Sequence, residues 1–159
     1  MKIKIICIGK LKEKYLKDAI SEYSKRLSRF CSFEITELND EKIPDNASLA
    51  EEQKVLNAEG EKILKCISPT DYVISLCVEG IEMSSEDFAR KISSLSLGGK
   101  SSIFFIIGGS LGLSDEVKSR SDYRLSFSKM TFPHQLMRVF LTEQIYRAFK
   151  INANEKYHK

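Results

Sequence analysis

The stretch SIFFIIGGSLG, Ser102–Gly112, decides the fold. After its first residue, Ser102–Ile107 is wholly apolar and rich in β-branched and aromatic side chains. That is the pattern of a short strand covered on both faces. It runs directly into Gly108-Gly109-Ser110-Leu111-Gly112, a turn whose glycines permit positive φ and close approach of a ligand to the backbone. A strand buried on both faces requires a helix layer on each side, so the rest of the chain should alternate strand and helix.

Reading outward bears this out as a pattern. Lys2–Gly9 reads as a buried strand, and Leu16, Ala19, Ile20, Tyr23, Leu27 and Phe30 follow at helical spacing. Phe33–Leu38 alternates apolar and polar residues as a second strand, and a polar loop with Pro44 follows. Ser48 with Glu51 three residues on is a capping-box signature for a helix that stops before Pro69. Tyr72–Val78, nearly all apolar, reads as a central strand broken by Gly80. Ser84 and Asp87 open a helix that ends at Gly98-Gly99. On the other side of the quoted stretch, Ser114–Val117 opens a short helix and Tyr123–Ser126 is a short strand. Pro133 sits at the start of a last helix carrying Leu136, Val139, Phe140, Tyr146 and Phe149, before a polar tail, 152–159. The expectation is one α/β domain over 1–159, with a mainly parallel sheet between helices.

The 159-residue length suits one core without metal or disulfide staples. Cys7, Cys31, Cys66 and Cys77 form no C-x-x-C pair and read as reduced, mostly buried thiols. With only His134 and His158 available, no metal site is expected. The apolar N-terminal run is too short for a signal peptide, and no run is long enough to span a membrane, so a cytoplasmic location is expected. The net charge of +3 is unevenly spread: residues 1–30 and 118–159 each carry +6, and the centre carries −9. Two basic ends suggest a surface for a polyanion.

Parallel α/β sheets bind ligands beyond the carboxyl ends of their strands. Three segments qualify: Leu76–Gly80, Gly108–Gly112 and Phe127–Phe132. Neither G-x-G-x-x-G nor a P-loop is present, which gives a dinucleotide or nucleoside triphosphate little support. Gly108, Ser110 and Gly112 do satisfy G-x-S-x-G, the nucleophile elbow of α/β-hydrolases, with Asp115 or Asp122 and His134 or His158 following in that order. The chain is short for that fold and has no HGGG-type oxyanion segment. Phe127–Arg138 (FSKMTFPHQLMR) combines rings suited to packing on an adenine with Arg138, placed to reach an RNA phosphate. From these residues alone a ligand loop, a hydrolase elbow and an RNA-binding protein without catalysis all stay open.

The chain resembles the ribosomal RNA large subunit methyltransferase H family of the SPOUT superfamily. The resemblance rests on KIKIICIGKLKEK (Lys2–Lys14), FIIGGSLG (Phe105–Gly112), LSFSKMTFPHQLMRV (Leu125–Val139), TEQIYRAF (Thr142–Phe149) and Tyr157-His158-Lys159, in that order. It implies a C-terminal trefoil knot, a homodimer, and transfer of a methyl group from S-adenosylmethionine to N3 of a pseudouridine in 23S ribosomal RNA of the assembled ribosome. It also implies a cofactor site at Leu76, Gly108, Gly109, Phe127, Ser128, Lys129, Met130, Thr131 and Phe132. Arg138, His158 and Tyr157 are the expected catalytic groups. Arg138 or His158 would offset the developing imide anion, His158 would take the proton, and Tyr157 would stack on or bond to the nucleotide. No metal is needed.

Overall fold

The computed structural model describes the whole chain, Met1–Lys159. Its elements run β1 (Lys2–Ile8), α1 (Lys14–Leu27), β2 (Ser32–Leu38), α2 (Leu49–Leu64), β3 (Tyr72–Glu82), α3 (Ser85–Leu97), β4 (Ser102–Ile107), α4 (Asp115–Arg120), β5 (Tyr123–Ser126) and α5 (His134–Asn152). The five strands form one sheet in the order β2-β1-β4-β3-β5, and every pairing is parallel. The middle strand is therefore β4, the quoted one. β3, expected at the centre, lies between β4 and the edge strand β5.

The crossovers follow one hand. Steps in one direction across the sheet, β1 to β2 and β3 to β4, place α1 and α3 on the same face. Steps in the other direction place α2 and α4 opposite. Right-twisted strands impose this rule. Alternation along each strand then sorts the core. Ile3, Ile5, Cys7, Ile103, Phe105 and Ile107 pack under α1, α3 and α5, whereas Ile6, Ile8, Phe104 and Ile106 pack under α2 and α4.

The local signals act as expected at the caps. Ser48 accepts from the Glu51 N–H, and the Glu51 carboxylate accepts from the Ser48 N–H at 2.7 Å. Ser84 and Ser114 cap α3 and α4 by accepting from the Asp87 and Val117 N–H groups, without the return bond. The buried stripe of α5 shares only Tyr146 with the expected one: it runs Arg138, Leu141, Thr142, Ile145, Tyr146 and Ala148. Phe140 points out of the core, with 44% of its surface exposed.

Candidate active site

The carboxyl ends of β3, β4 and β5 open into one cleft of about 270 Å³. Three backbone irregularities make it. The first lies in β3, where Leu125 of β5 faces Leu76 and then Ile81, so residues 77–80 arch out of the ladder. The arch returns at Gly80, where a Cβ would stand 2.7 Å from the backbone carbon of Leu125. Gly80 thus turns an expected strand break into a wall of the cleft, and β3 continues to Glu82.

The second irregularity is the turn after β4. The Gly112 N–H donates to the Gly109 carbonyl at 3.1 Å, and Gly112 has φ of 85°. A Cβ on Gly108 would collide with the Gly112 carbonyl. The need for glycine there arises from the turn folding on itself. The third is the loop after β5. Ser126 Oγ donates to the Ser128 carbonyl at 3.0 Å, and the Met130 N–H donates to Ser128 Oγ at 3.0 Å. This small knot of bonds points Phe127 inward and leaves Met130 largely exposed on the rim.

Of the residues expected to hold a cofactor, Leu76, Gly108 and Gly109 line the cleft. So do Phe127, Ser128, Met130, Thr131 and Phe132. Lys129 alone does not. The structure adds Cys77, Val78, Leu111, His134 and Met137 to the lining; all five lie within stretches singled out in the sequence but were not expected to hold the cofactor.

The cleft has no strong field of one sign. Glu79 is paired with Lys118, whose hydrogen bond holds the carboxyl below its usual range. Burial lowers the proton affinity of His134, and the nearby Arg138 charge lowers it further. The imidazole is therefore neutral near pH 7. Burial pushes the Cys77 thiol up, so it is no thiolate nucleophile. No group of three His, Cys, Asp or Glu side chains comes together as metal ligands.

Arg138 requires a correction. Expected to reach RNA from the surface, its side chain is wholly buried. Nη2 donates to the Ile8 carbonyl at 2.8 Å and the Gly9 carbonyl at 2.9 Å, and Nη1 meets Glu37 Oε1 at 2.8 Å. Helical geometry explains the difference: Arg138 lies one turn before Leu141 and Thr142 on the core face of α5. It clamps the ends of β1 and β2 to α5.

The tail is ordered against the body. Tyr157 packs edge-on to Tyr146 at 5.0 Å between ring centres, and its hydroxyl donates to Glu143 Oε1 at 3.0 Å. Burial, with hydrogen bonds to Tyr23 and Glu143, pushes the phenol far above its usual range, so it acts as a donor and not as a base. His158 Nε2 lies 2.7 Å from Glu86 at the start of α3, and Nδ1 lies 3.3 Å from Arg147. Neither Tyr157 nor His158 lines the cleft of its own chain.

Both basic ends are partly paired once folded. Near the C-terminus, Lys118, Arg120, Arg138, Arg147 and Lys150 are each paired with a carboxylate. Near the N-terminus, Lys10, Lys12, Lys17, Lys25 and Arg29 have no carboxylate within 4.0 Å. Arg124, Lys129, Lys156 and Lys159 are likewise exposed without a carboxylate partner, so both ends keep unpaired positive charge. The hydrolase reading loses its geometry: Ser110 is exposed, lies outside the cleft lining, and makes no hydrogen bond to a histidine or acid.

Comparison with known proteins agrees with this geometry. Residues 1–158 match the family model described as "Predicted SPOUT methyltransferase". The chain is 64% identical over its whole length to the full-length ribosomal RNA large subunit methyltransferase H of Clostridium novyi. It is 57% identical to the protein of that name from Clostridioides difficile and 56% to that from Streptococcus pyogenes, again with both chains covered completely. A solved structure of a probable methylase family protein from Haemophilus influenzae superposes with a TM-score of 0.54 at 15% identity. It covers 99% of this chain and 70% of that one, a likeness of fold.

Proposed function

The chain belongs to the SPOUT methyltransferase family, and from that membership we propose that it methylates N3 of a pseudouridine in 23S ribosomal RNA of the assembled ribosome, with S-adenosylmethionine as donor. The observation that carries the reading is the cleft itself. Eight residues expected to hold the donor, drawn from three separate stretches of sequence, line one cavity. The family's trefoil knot, a homodimer and a cytoplasmic location belong to the same reading.

The residues present fit the donor. Phe127 and Phe132 offer rings for an adenine, and the loop that follows β5 offers backbone amides and carbonyls for its edge. The methionine end carries an ammonium and a carboxylate, which suit a wall of backbone groups with a paired Glu79–Lys118 at its edge. The neutral His134 adds no charge to repel a sulfonium. Bound there, the donor supplies an electrophilic methyl carbon.

The chain's own task is then positioning and proton handling. In-line displacement depends mainly on alignment, which the rigid strand ends provide. The imide proton on N3 leaves before or during attack, and His158 is the group we assign to accept it. Tyr157 keeps its proton and serves as a donor or a stacking surface. Arg138 holds the strand ends that shape the cleft. The exposed cations of the β1–α1 loop and α1 supply phosphate contacts.

Two measurements test the reading. Titration calorimetry should show S-adenosylmethionine binding that Phe127→Ala and Gly108→Ala each weaken. Purified ribosomes lacking the modification should gain one methyl group on a pseudouridine of 23S ribosomal RNA. Binding without transfer to any ribosomal substrate would instead favour an RNA-binding protein that kept the fold.

A further inference from the structure

A second cavity, of about 350 Å³, abuts the first. Leu125, Ser126, Phe127 and Phe132 wall both, so little more than two phenyl rings separates them. Its inner surface is aromatic, with Phe88, Phe127, Phe132 and Phe140. Phe140 stands edge-on to Phe132 at 6.0 Å between ring centres while much of it stays exposed. Core packing does not account for an exposed phenylalanine in that position. A planar ring entering between these side chains does.

The far end of this cavity is polar, and its hydrogen bonds run in one direction. Ser85 Oγ donates to Gln144 Oε1 at 2.7 Å. Gln144 Nε2 donates to Glu143 Oε2 at 2.9 Å. Glu143 Oε1 accepts from Arg147 at 2.6 Å and from Tyr157 at 3.0 Å. A carboxylate offers about four lone-pair sites and no donor. Three sites are taken, and the one left is on Oε2. The lining thus ends in an anionic acceptor with one position free.

We propose that the second cavity is the subsite for the target base, and that Glu143 selects pseudouridine over uridine by accepting its N1–H. The proposal rests on the methyltransferase reading above. The chemistry follows from the bases. In uridine, N1 carries the ribose and has no hydrogen. In pseudouridine the ribose is on carbon, so N1–H is a free donor on a different ring edge from N3. With N3 turned toward the first cavity, a free N1–H needs an acceptor, and a C–H in its place leaves the Glu143 carboxylate unmatched. Phe132 and Phe140 would hold the ring but cannot tell the two bases apart.

The test compares ribosomes carrying pseudouridine with ribosomes carrying uridine at the target position, the latter from cells lacking the pseudouridine synthase. The readout is the ratio of kcat/KM on the two substrates. Glu143→Gln should lower that ratio by on the order of tenfold, a charged hydrogen bond's worth, and leave S-adenosylmethionine affinity unchanged. Tyr157→Phe removes the tail's bond to Glu143 but keeps the carboxylate. It should keep the ratio, whatever it does to the rate. Phe140→Ala should raise KM for both ribosomes alike. An unchanged ratio in Glu143→Gln, or an equal loss of ratio in Tyr157→Phe, overturns the assignment. Loss of S-adenosylmethionine binding in Glu143→Gln and Phe140→Ala would make this cavity part of the donor site, and also overturns it. If the unaltered chain binds the donor but methylates neither ribosome, the underlying reading fails and not merely the choice of Glu143.

Discussion

Arg138 and Glu37 are 101 positions apart and meet at 2.8 Å, with the arginine side chain entirely removed from solvent. The pair joins α5 to the end of β2, and the same guanidinium holds two carbonyls at the end of β1. A buried cation without its partners is costly, so removing one member is worse than never having had the pair. Arg138→Ala should therefore destabilise the fold by about 3–5 kcal/mol. Arg138→Lys should recover only part of this, since an ammonium cannot hold three acceptors in one plane. Urea unfolding followed by circular dichroism measures both. A loss below about 1 kcal/mol in Arg138→Ala would leave the clamp without energetic weight.

Gly108→Ala tests the turn after β4. The added Cβ meets the Gly112 carbonyl, so the turn must open. The expected cost is about 1–3 kcal/mol in stability, together with weaker S-adenosylmethionine binding. Thermal unfolding and calorimetry separate the two effects. Unchanged affinity in a folded variant would show that the turn does not shape the donor site.

The pH dependence of donor binding should follow His134. Its folded pKa lies below the ordinary value near 6.5, because burial and Arg138 disfavour the charged form. The neutral form is thus the one the fold favours, and the stability it contributes is present at high pH. That contribution is lost as pH falls below 6.5 toward the folded value. A cationic imidazole would also repel the sulfonium. Affinity should be level from about pH 8 to 7 and fall on acidification below about 6.5. His134→Asn should flatten the fall, and an equal fall in that variant would place the titrating group elsewhere.

Removing Tyr157–Lys159 should cost stability modestly, about 1–2 kcal/mol, for one aromatic pair and one charge-assisted hydrogen bond. Methyl transfer to ribosomes should fall much further than donor binding does. Full transfer by the shortened chain would show that His158 takes no proton.

Ribosome association should weaken as salt rises, because bound phosphates release counterions. Lys25 in α1 and Arg29 just after it have no carboxylate partner, so Lys25→Ala with Arg29→Ala should reduce the salt slope by about 1–2. Replacing Lys150, already paired with Glu155, should change it little. Equal effects from both sets would mean the ion pairs open on binding.

The α/β alternation, the caps at Ser48, Ser84 and Ser114, and the buried strand Ser102–Ile107, though not its middle place in the sheet, were legible in the sequence because each rests on contacts within a few residues or on a simple period. The donor cleft was legible as three strand ends, since parallel sheets place ligands there. What only the tertiary structure decided was which of those side chains face one another. The arch at Cys77–Gly80 depends on β5 as its partner. The burial of Arg138 depends on carbonyls and a carboxylate more than 100 positions away. The pairing of some C-terminal cations is of the same kind, as with Lys118 and Glu79. Local propensity is a short-range quantity and carries no record of such neighbours; burial and charge pairing are set by the packed neighbourhood, which exists only once the sheet has closed.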